Sequence, residues 1–569
     1  MIDDQVIAAA RGDIPCDLVL KNAQIVNVFS GEIQKGDVAV QGGKVAALDS
    51  RDAKITVDLE GRFLTPGLID AHVHIESSMV SPYQYARTVI LHGTTAVIAD
   101  PHEIANVMGV DGVSYMIQAA EGAPVGIFYA VPSCVPATHL ETAGASLETK
   151  DILPFLEHPK IVGLAEMMNF PGVIYRDPEV LAKMNAAKSH RKTVDGHAPG
   201  LSGADLQAYL AAGAASDHEC TTPEEALEKL ASGMRIMIRQ GTGAKNLNDL
   251  LPIVTEQNSR RIMFCSDDRH PYDLLEKGHI NIMVARSIRQ GVDPVTAIRM
   301  ASLNTAEYFG LRDRGGIAPG MRADLLVVPD LVDFHVQDVY SGGVKVVEDG
   351  CGLPSPMDPP PRPQTSSMNV DVDGLDFTIK AGSGKARIIK LIPDQVVTAA
   401  MTGDVLQKNG EALSDPGNDI LKIAVVERHK GTGNIGLGFV NGFGLQKGAL
   451  ASSVAHDSHN IIVVGVDDAD MKAAVKAVAD MGGGLAAAAG GKALSVCPLP
   501  IAGLMSDQPM EQVRRQLDIL MQTAKELGAK AEDPFMSLSF LALPVIPELK
   551  ITDKGLVDVN LFNFVSLFE

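Results

Sequence analysis

The chain has no CxxC pair, no tandem repeat, no excess of positive charge and no apolar run near the ~20 residues that a membrane span needs. Each absence removes a class of protein. Its 6 cysteines, Cys16, Cys134, Cys220, Cys265, Cys351 and Cys497, are scattered, which argues against a disulfide framework or a thiolate zinc site and fits reduced thiols of the cytoplasm. The start, Met-Ile-Asp-Asp-Gln-Val, lacks the basic and apolar regions of a signal peptide, in keeping with a cytoplasmic location. A formal net charge of −21 disfavours nucleic-acid phosphates or an anionic membrane as partner and leaves a small molecule as the expected one. At 569 residues the chain is too long for one ordinary domain, and 46% hydrophobic content is ample for two or three cores.

What is present falls into a few segments. Residues 1–64 carry short β-type runs such as Leu18-Val-Leu and Val38-Ala-Val between Gly and Asp turns. Similar material returns over 316–351, in Ala323-Asp-Leu-Leu-Val-Val and Gly343-Val-Lys-Val-Val, so the two pieces are expected to make one split β-sandwich. Between them, over 65–315, strand-like and helix-like runs alternate, which predicts parallel βα units. The strands read Leu68 to His74, Thr95 to Asp100, Val125 to Pro132, Ile161 to Met167, Thr193 to His197, Ala214 to His218, Arg235 to Arg239 and Arg261 to Asp267. Eight units in about 250 residues predict a TIM-type (β/α)8 barrel, whose site lies at the C-terminal strand ends. A proline-rich linker spans 352–367, and 368–569 reads as a separate α/β or α+β domain.

The strand ends carry the chemistry. The first closes on His72-Val-His74, and residues i and i+2 of a strand share a face, so both imidazoles can reach one cation. Later ends bring Asp100-Pro-His102-Glu103, Glu166, His197, His218-Glu219 and Asp267-Asp268-Arg-His270. This set predicts two divalent ions, one held by His72, His74 and Asp267, the other by His197 and His218, with Glu166 as the bridging anion that screens their repulsion. A hydroxide shared between such ions is a nucleophile at neutral pH, and Asp267 can take its proton and pass it to a leaving group. Asp268 either accepts a substrate N–H or caps the strand end. His102 and Glu103, one or both, are either groups of the mouth that face substrate, support its other residues or hold an auxiliary metal, or the N-cap region of a helix after Pro101. Glu76 and Ser77, with Ser78, either shape the pocket or cap a helix, and Glu219 either orients a ligand or faces solvent.

Pro66-Gly-Leu-Ile-Asp-Ala-His72-Val-His74, with Gly316-Ile-Ala-Pro-Gly-Met-Arg-Ala-Asp324-Leu, resembles the amidohydrolase superfamily. His92-Gly-Thr-Thr-Ala-Val-Ile-Ala-Asp-Pro-His102-Glu103, Asp195-Gly-His197-Ala-Pro-Gly, Ser216-Asp-His218-Glu219 and Cys265-Ser-Asp267-Asp268-Arg-His270-Pro narrow the likeness to the bacterial adenine deaminase family. The run from Gly442 to Asn460, with His456 and His459, is similar to that family's extra C-terminal domain. Ile161-Val-Gly-Leu-Ala-Glu166 offers a glutamate where many superfamily members carry a carbamylated lysine, and Lys160 sits at the wrong end of the strand. The resemblance implies attack at C6 of adenine, yielding hypoxanthine and ammonia in purine salvage, with Mn2+ or Fe2+ as the metal, although such ligands also suit Zn2+. The alternatives are another aminopurine or a cyclic amide as substrate, or a non-catalytic scaffold. A homo-oligomer is expected.

Some motifs point elsewhere. Gly431-Thr-Gly433-Asn-Ile-Gly436 matches GxGxxG, but the glycine-rich run after it cannot open the helix that a dinucleotide site requires. His456-Asp-Ser-His459 suggests a further metal, a contribution across a domain interface by a loop closing over the barrel mouth, or plain turn chemistry, and Arg428-His429 share that ambiguity. Gly482 to Gly491 reads as tight helix packing or loop.

Overall fold

The computed structural model describes residues 3–354, 361–363, 367–392 and 395–569. Part of the expected linker, 355–360 and 364–366, therefore lies outside the described residues. The parallel strands of the central region are β1 Leu68–His74, β2 Thr94–Ala99, β3 Gly126–Val131, β4 Ile161–Met167, β5 Thr193–Gly196, β6 Ser216–Asp217, β7 Arg235–Arg239 and β8 Ile262–Cys265. β1 to β5 pair in order, as do β6 to β8. The Ala215 N–H donates to the Val194 carbonyl at 3.1 Å between β5 and β6, and Asp267 and Asp268 run parallel beside Val73 and His74. These contacts curl the strands into a TIM-type barrel. Buried runs such as Leu68–His74 and Ile161–Met167 suit strands covered on both faces. The helices start where capping chemistry permits: Pro223–Ala231 has Pro at its first turn and the Thr222 side chain accepting from the Glu225 N–H.

The pieces flanking the barrel meet in one nine-stranded sheet, where Leu325–Val328 lies antiparallel to Phe63–Pro66. A helix at Asp4–Arg11, absent from the sequence reading, starts at the Asp3 cap and ends at Gly12 in the left-handed region. It packs Val6 and Ala9 onto Cys16, Val19 and Ala39 of that sheet.

The last part of the chain builds an eight-stranded sheet containing Ala386–Leu391, Ile420–Val426 and Ile461–Gly465, with helices Asp468–Asp480 and Met510–Leu527. Two expectations are settled here. The glycine and alanine run is neither a helix contact nor a loop: Gly484–Ala489 is a buried strand between Ala449–Ser452 and Lys492–Pro498. Its small side chains let Met471, Ala474 and Val478 of the helix pack directly on Ala486 and Ala488. After Gly433 the chain enters strand Ile435–Asn441, so no helix N-terminus follows the GxGxxG run.

This sheet region is sewn to the barrel. Ser81 N–H donates to the Ser506 carbonyl at 2.8 Å while Ser506 N–H donates to Met79 at 2.8 Å, and the Thr552 hydroxyl donates to Leu140 at 2.8 Å.

Candidate metal centre

The pleat of β1 turns His72 and His74 to one side, with their Nε2 atoms 3.1 Å apart. The His74 Nδ1–H donates to the Asp100 carbonyl at 3.1 Å, which leaves the Nε2 lone pair aimed inward. His72 turns Nδ1 towards Asp195, 3.4 Å away, and stacks on His218 with ring centroids 4.2 Å apart.

Glu166, at the end of β4 and 3% exposed, offers one oxygen to each side of the centre. Its Oε1 lies 3.3 Å from His74 Nε2, and its Oε2 lies 2.6 Å from His197 Nδ1 and 3.2 Å from His218 Nε2. Asp267 completes the first side, with Oδ1 3.2 Å from His74 Nε2 and 3.8 Å from His72 Nε2. It adopts φ 57°, a left-handed conformation that is costly away from glycine. Groups of ligand atoms within 4.8 Å of one another include His72, His74, Asp267; His72, Glu166, His218; His197, His218, Glu219; and His74, Asp100, His102, Glu166. The residues singled out from the sequence as ligands thus converge, with His72 shared between two groups.

The electrostatics favour cations. Burial opposes ionisation of Glu166, yet His197, His218 and His74 hold its carboxyl well below the usual range. Asp267 is likewise opposed by burial but held low by Arg239 and His74. With Nδ1 committed to a carbonyl, His74 points a lone pair at two ionised carboxylates, an arrangement that only a proton or a metal ion relieves. The imidazole and carboxylate set therefore fits divalent metal ions.

The other sequence candidates find distinct places. Asp268 accepts from the Ser77 hydroxyl at 2.5 Å, which joins the segment after β1 to the last strand end. Glu76 accepts the Ile104 N–H at 3.2 Å, so it caps the helix His102–Met108, while its other oxygen has no hydrogen-bond partner among the described residues; burial and then the charge of Glu103 push its pKa up to about 7. His102 Nδ1 lies 3.1 Å from Asp100 Oδ2 and 3.6 Å from Glu166 Oε1. His270 faces Asp533 of the C-terminal region at 3.4 Å.

Arg239 at the end of β7 belongs to no motif, because in sequence a basic residue there resembles any strand-end charge. Its Nη1 donates to Asp267 Oδ2 at 2.7 Å, and it also pairs with Glu219. Glu219 thus faces the centre, 3.4 Å from His218 Nε2. His456 and His459 reach in from the C-terminal region: His456 Nδ1 lies 2.7 Å from Glu103 Oε1, and His459 Nε2 contacts Glu103 Oε2.

The chain matches known proteins over nearly its whole length. Residues 63–346 match the amidohydrolase family, and residues 395–563 match the adenine deaminase C-terminal domain. An adenine deaminase of Methanothrix thermoacetophila is 51% identical over 567 residues, covering 99% of each chain. One from Dehalococcoides mccartyi is 50% identical over 563 residues, covering 99% of this chain and 98% of that one. Among solved structures, an enamidase of the amidohydrolase superfamily aligns with TM-score 0.45 and 18% identity over 59% of this chain and 97% of its own. At about half identity over its whole length to these relatives, the chain belongs to the adenine deaminase family.

Proposed function

We propose that the protein hydrolyses adenine to hypoxanthine and ammonia; its relatives are named adenine deaminases. The observation that carries this reading is the Glu166 carboxylate with one oxygen towards His74 and the other towards His197 and His218. That placement suits a bridge between two ions, one held by His72, His74 and Asp267 and one by His197 and His218. Mn2+ or Fe2+ is the proposed pair, and the same donors suit Zn2+. When bound, such ions lower the pKa of water enough to supply hydroxide at neutral pH.

The protein's own groups do the rest. Asp267, ionised and close to the centre, accepts a proton from the attacking water and returns it to the departing amine. A C6–O bond forms, the C6–N bond breaks, and the nitrogen leaves as ammonia. Asp268, steadied by Ser77, accepts a ring N–H of the purine, with His102, Glu103 and Glu76 along the same wall of the pocket. Glu219 and Arg239 hold the far side.

In the same reading, 1–64 and 316–351 form a split β-sandwich around the barrel of 65–315, with 352–367 as linker and 368–569 as the C-terminal domain. The enzyme works in the cytoplasm as a homo-oligomer on a small molecule, with neither nucleic acid nor membrane as partner. Ammonia release from adenine, adenosine, guanine and cytosine on manganese-loaded protein tests the proposal. Turnover of adenine alone is expected, and none with free adenine would overturn it.

A further inference from the structure

Glu103, His456 and His459 are buried, and their ligand atoms are close enough to resemble a further metal site. The hydrogen bonds decide otherwise. The Ala455 N–H donates to His459 Nδ1 at 3.2 Å, so that nitrogen is bare and the single proton of the neutral ring sits on Nε2, the atom facing Glu103. A protonated nitrogen cannot ligate a cation. It can donate to a carboxylate. Burial keeps His459 neutral, with its pKa lowered to about 4. His456 meets the other Glu103 oxygen, at 2.7 Å, so each imidazole takes one oxygen of the carboxylate. Each oxygen keeps a second lone pair for another donor.

The C-terminal region invests heavily in this loop. His459 is 1% exposed and sits at φ 56°, an unfavourable conformation for a residue with a side chain. Its carbonyl accepts from Arg428 Nε, and the Ser458 carbonyl accepts from His429 Nε2 at 2.7 Å. Arg428 itself is fully buried, with its other nitrogens donating to Ser367 and Ala502 at 2.9 Å. Asn460 Nδ2 donates to the Thr142 carbonyl of the barrel at 2.9 Å. On the barrel side Glu103 stands in the first turn of the helix after β2, directly after His102, which lies 3.6 Å from Glu166 Oε1.

We infer that the C-terminal region supplies positioning residues to the active site: His459, as an Nε2–H donor, and His456 hold the Glu103 carboxylate in place to accept an N–H of the purine. The inference rests on the proposed role of Glu103 as a substrate-facing group. It gives the last region a task that the barrel alone cannot perform, since both donors lie outside it.

Full-length manganese-loaded variants test it. His459→Leu removes the donor, whereas His459→Gln places an amide N–H near the former Nε2. His459→Leu should lower kcat/KM for adenine roughly 10- to 100-fold, the effect of losing one hydrogen bond to a charged group. His459→Gln should recover most of it. Combined with Glu103→Gln, His459→Leu should cost nothing beyond Glu103→Gln alone, because it acts through that carboxylate. Additive losses, equal damage from Leu and Gln, or loss of one metal equivalent in His459→Leu would overturn the inference. A wild-type enzyme inert on adenine would instead defeat the proposed function. The tautomer is read independently of turnover, from the 15N spectrum of histidine-labelled, zinc-loaded wild type: His459 should show a bare Nδ1 and a protonated Nε2, and the reverse pattern would exclude its donor role.

Discussion

Asp267 presents its two oxygens to different neighbours, Oδ1 to His74 and Oδ2 to Arg239. Asp267→Asn keeps the shape but removes the charge proposed to accept a proton, so kcat should fall by roughly 10²- to 10⁴-fold while the protein stays soluble. Near-normal rates would reject the proton-transfer role. Lys550 makes a separate residue-scale case, because its ammonium is buried and, among the described residues, meets only the carbonyls of Val396 at 2.9 Å and Phe540 at 3.0 Å. Burial lowers its pKa from 10.5 to about 7. The unfolded chain then binds more protons than the folded one between these values, so stability should rise with pH, by about 2 kcal/mol from pH 7 to pH 9. Urea unfolding across that range should show the slope in the wild type and lose it in Lys550→Met. An equal slope in both would place its origin elsewhere.

At the scale of elements, β5 and β6 approach so closely that Gly196 has no room for a side chain. A Cβ there would lie 2.0 Å from the Ser216 carbonyl oxygen. Because His197 follows β5 and His218 follows β6, Gly196→Ala should wedge apart the second side of the centre. A loss of more than about 2 kcal/mol in stability and of bound metal is expected, measured by denaturant unfolding and metal analysis. Retention of full metal content would mean that the strands can shift without moving the ligands. The long, strongly patterned elements were the most legible in sequence: β1, β4 and the helix Met510–Leu527 lie where their apolar pattern places them. Gly484–Ala489 was not legible, since alanine and glycine carry no strong β signal and the strand exists because its neighbours need a thin partner under a helix. The helix Asp4–Arg11 was hidden for a related reason: it is short, and its stability comes from packing on the sheet.

For the whole molecule, the concentration of buried carboxylates and imidazoles links metal binding to stability. Removing the ions by chelation should lower Tm by at least about 5 °C, and manganese should restore both Tm and activity at two equivalents per chain. An unchanged Tm after complete removal would show that protons serve the centre as well as metal does. By itself the sequence determined the barrel and the imidazoles and carboxylates gathered at its strand ends, because strand-spaced histidines and strand-end carboxylates are local signals whose meaning depends only on the βα repeat. Only the tertiary structure decided the pairing of Arg239 with Asp267, the capping duty of Glu76, and the grip of His456 and His459 on Glu103. Those contacts join residues far apart in the chain, and the choice between ligand and donor for His459 turns on one backbone N–H, that of Ala455, whose direction no side-chain pattern encodes.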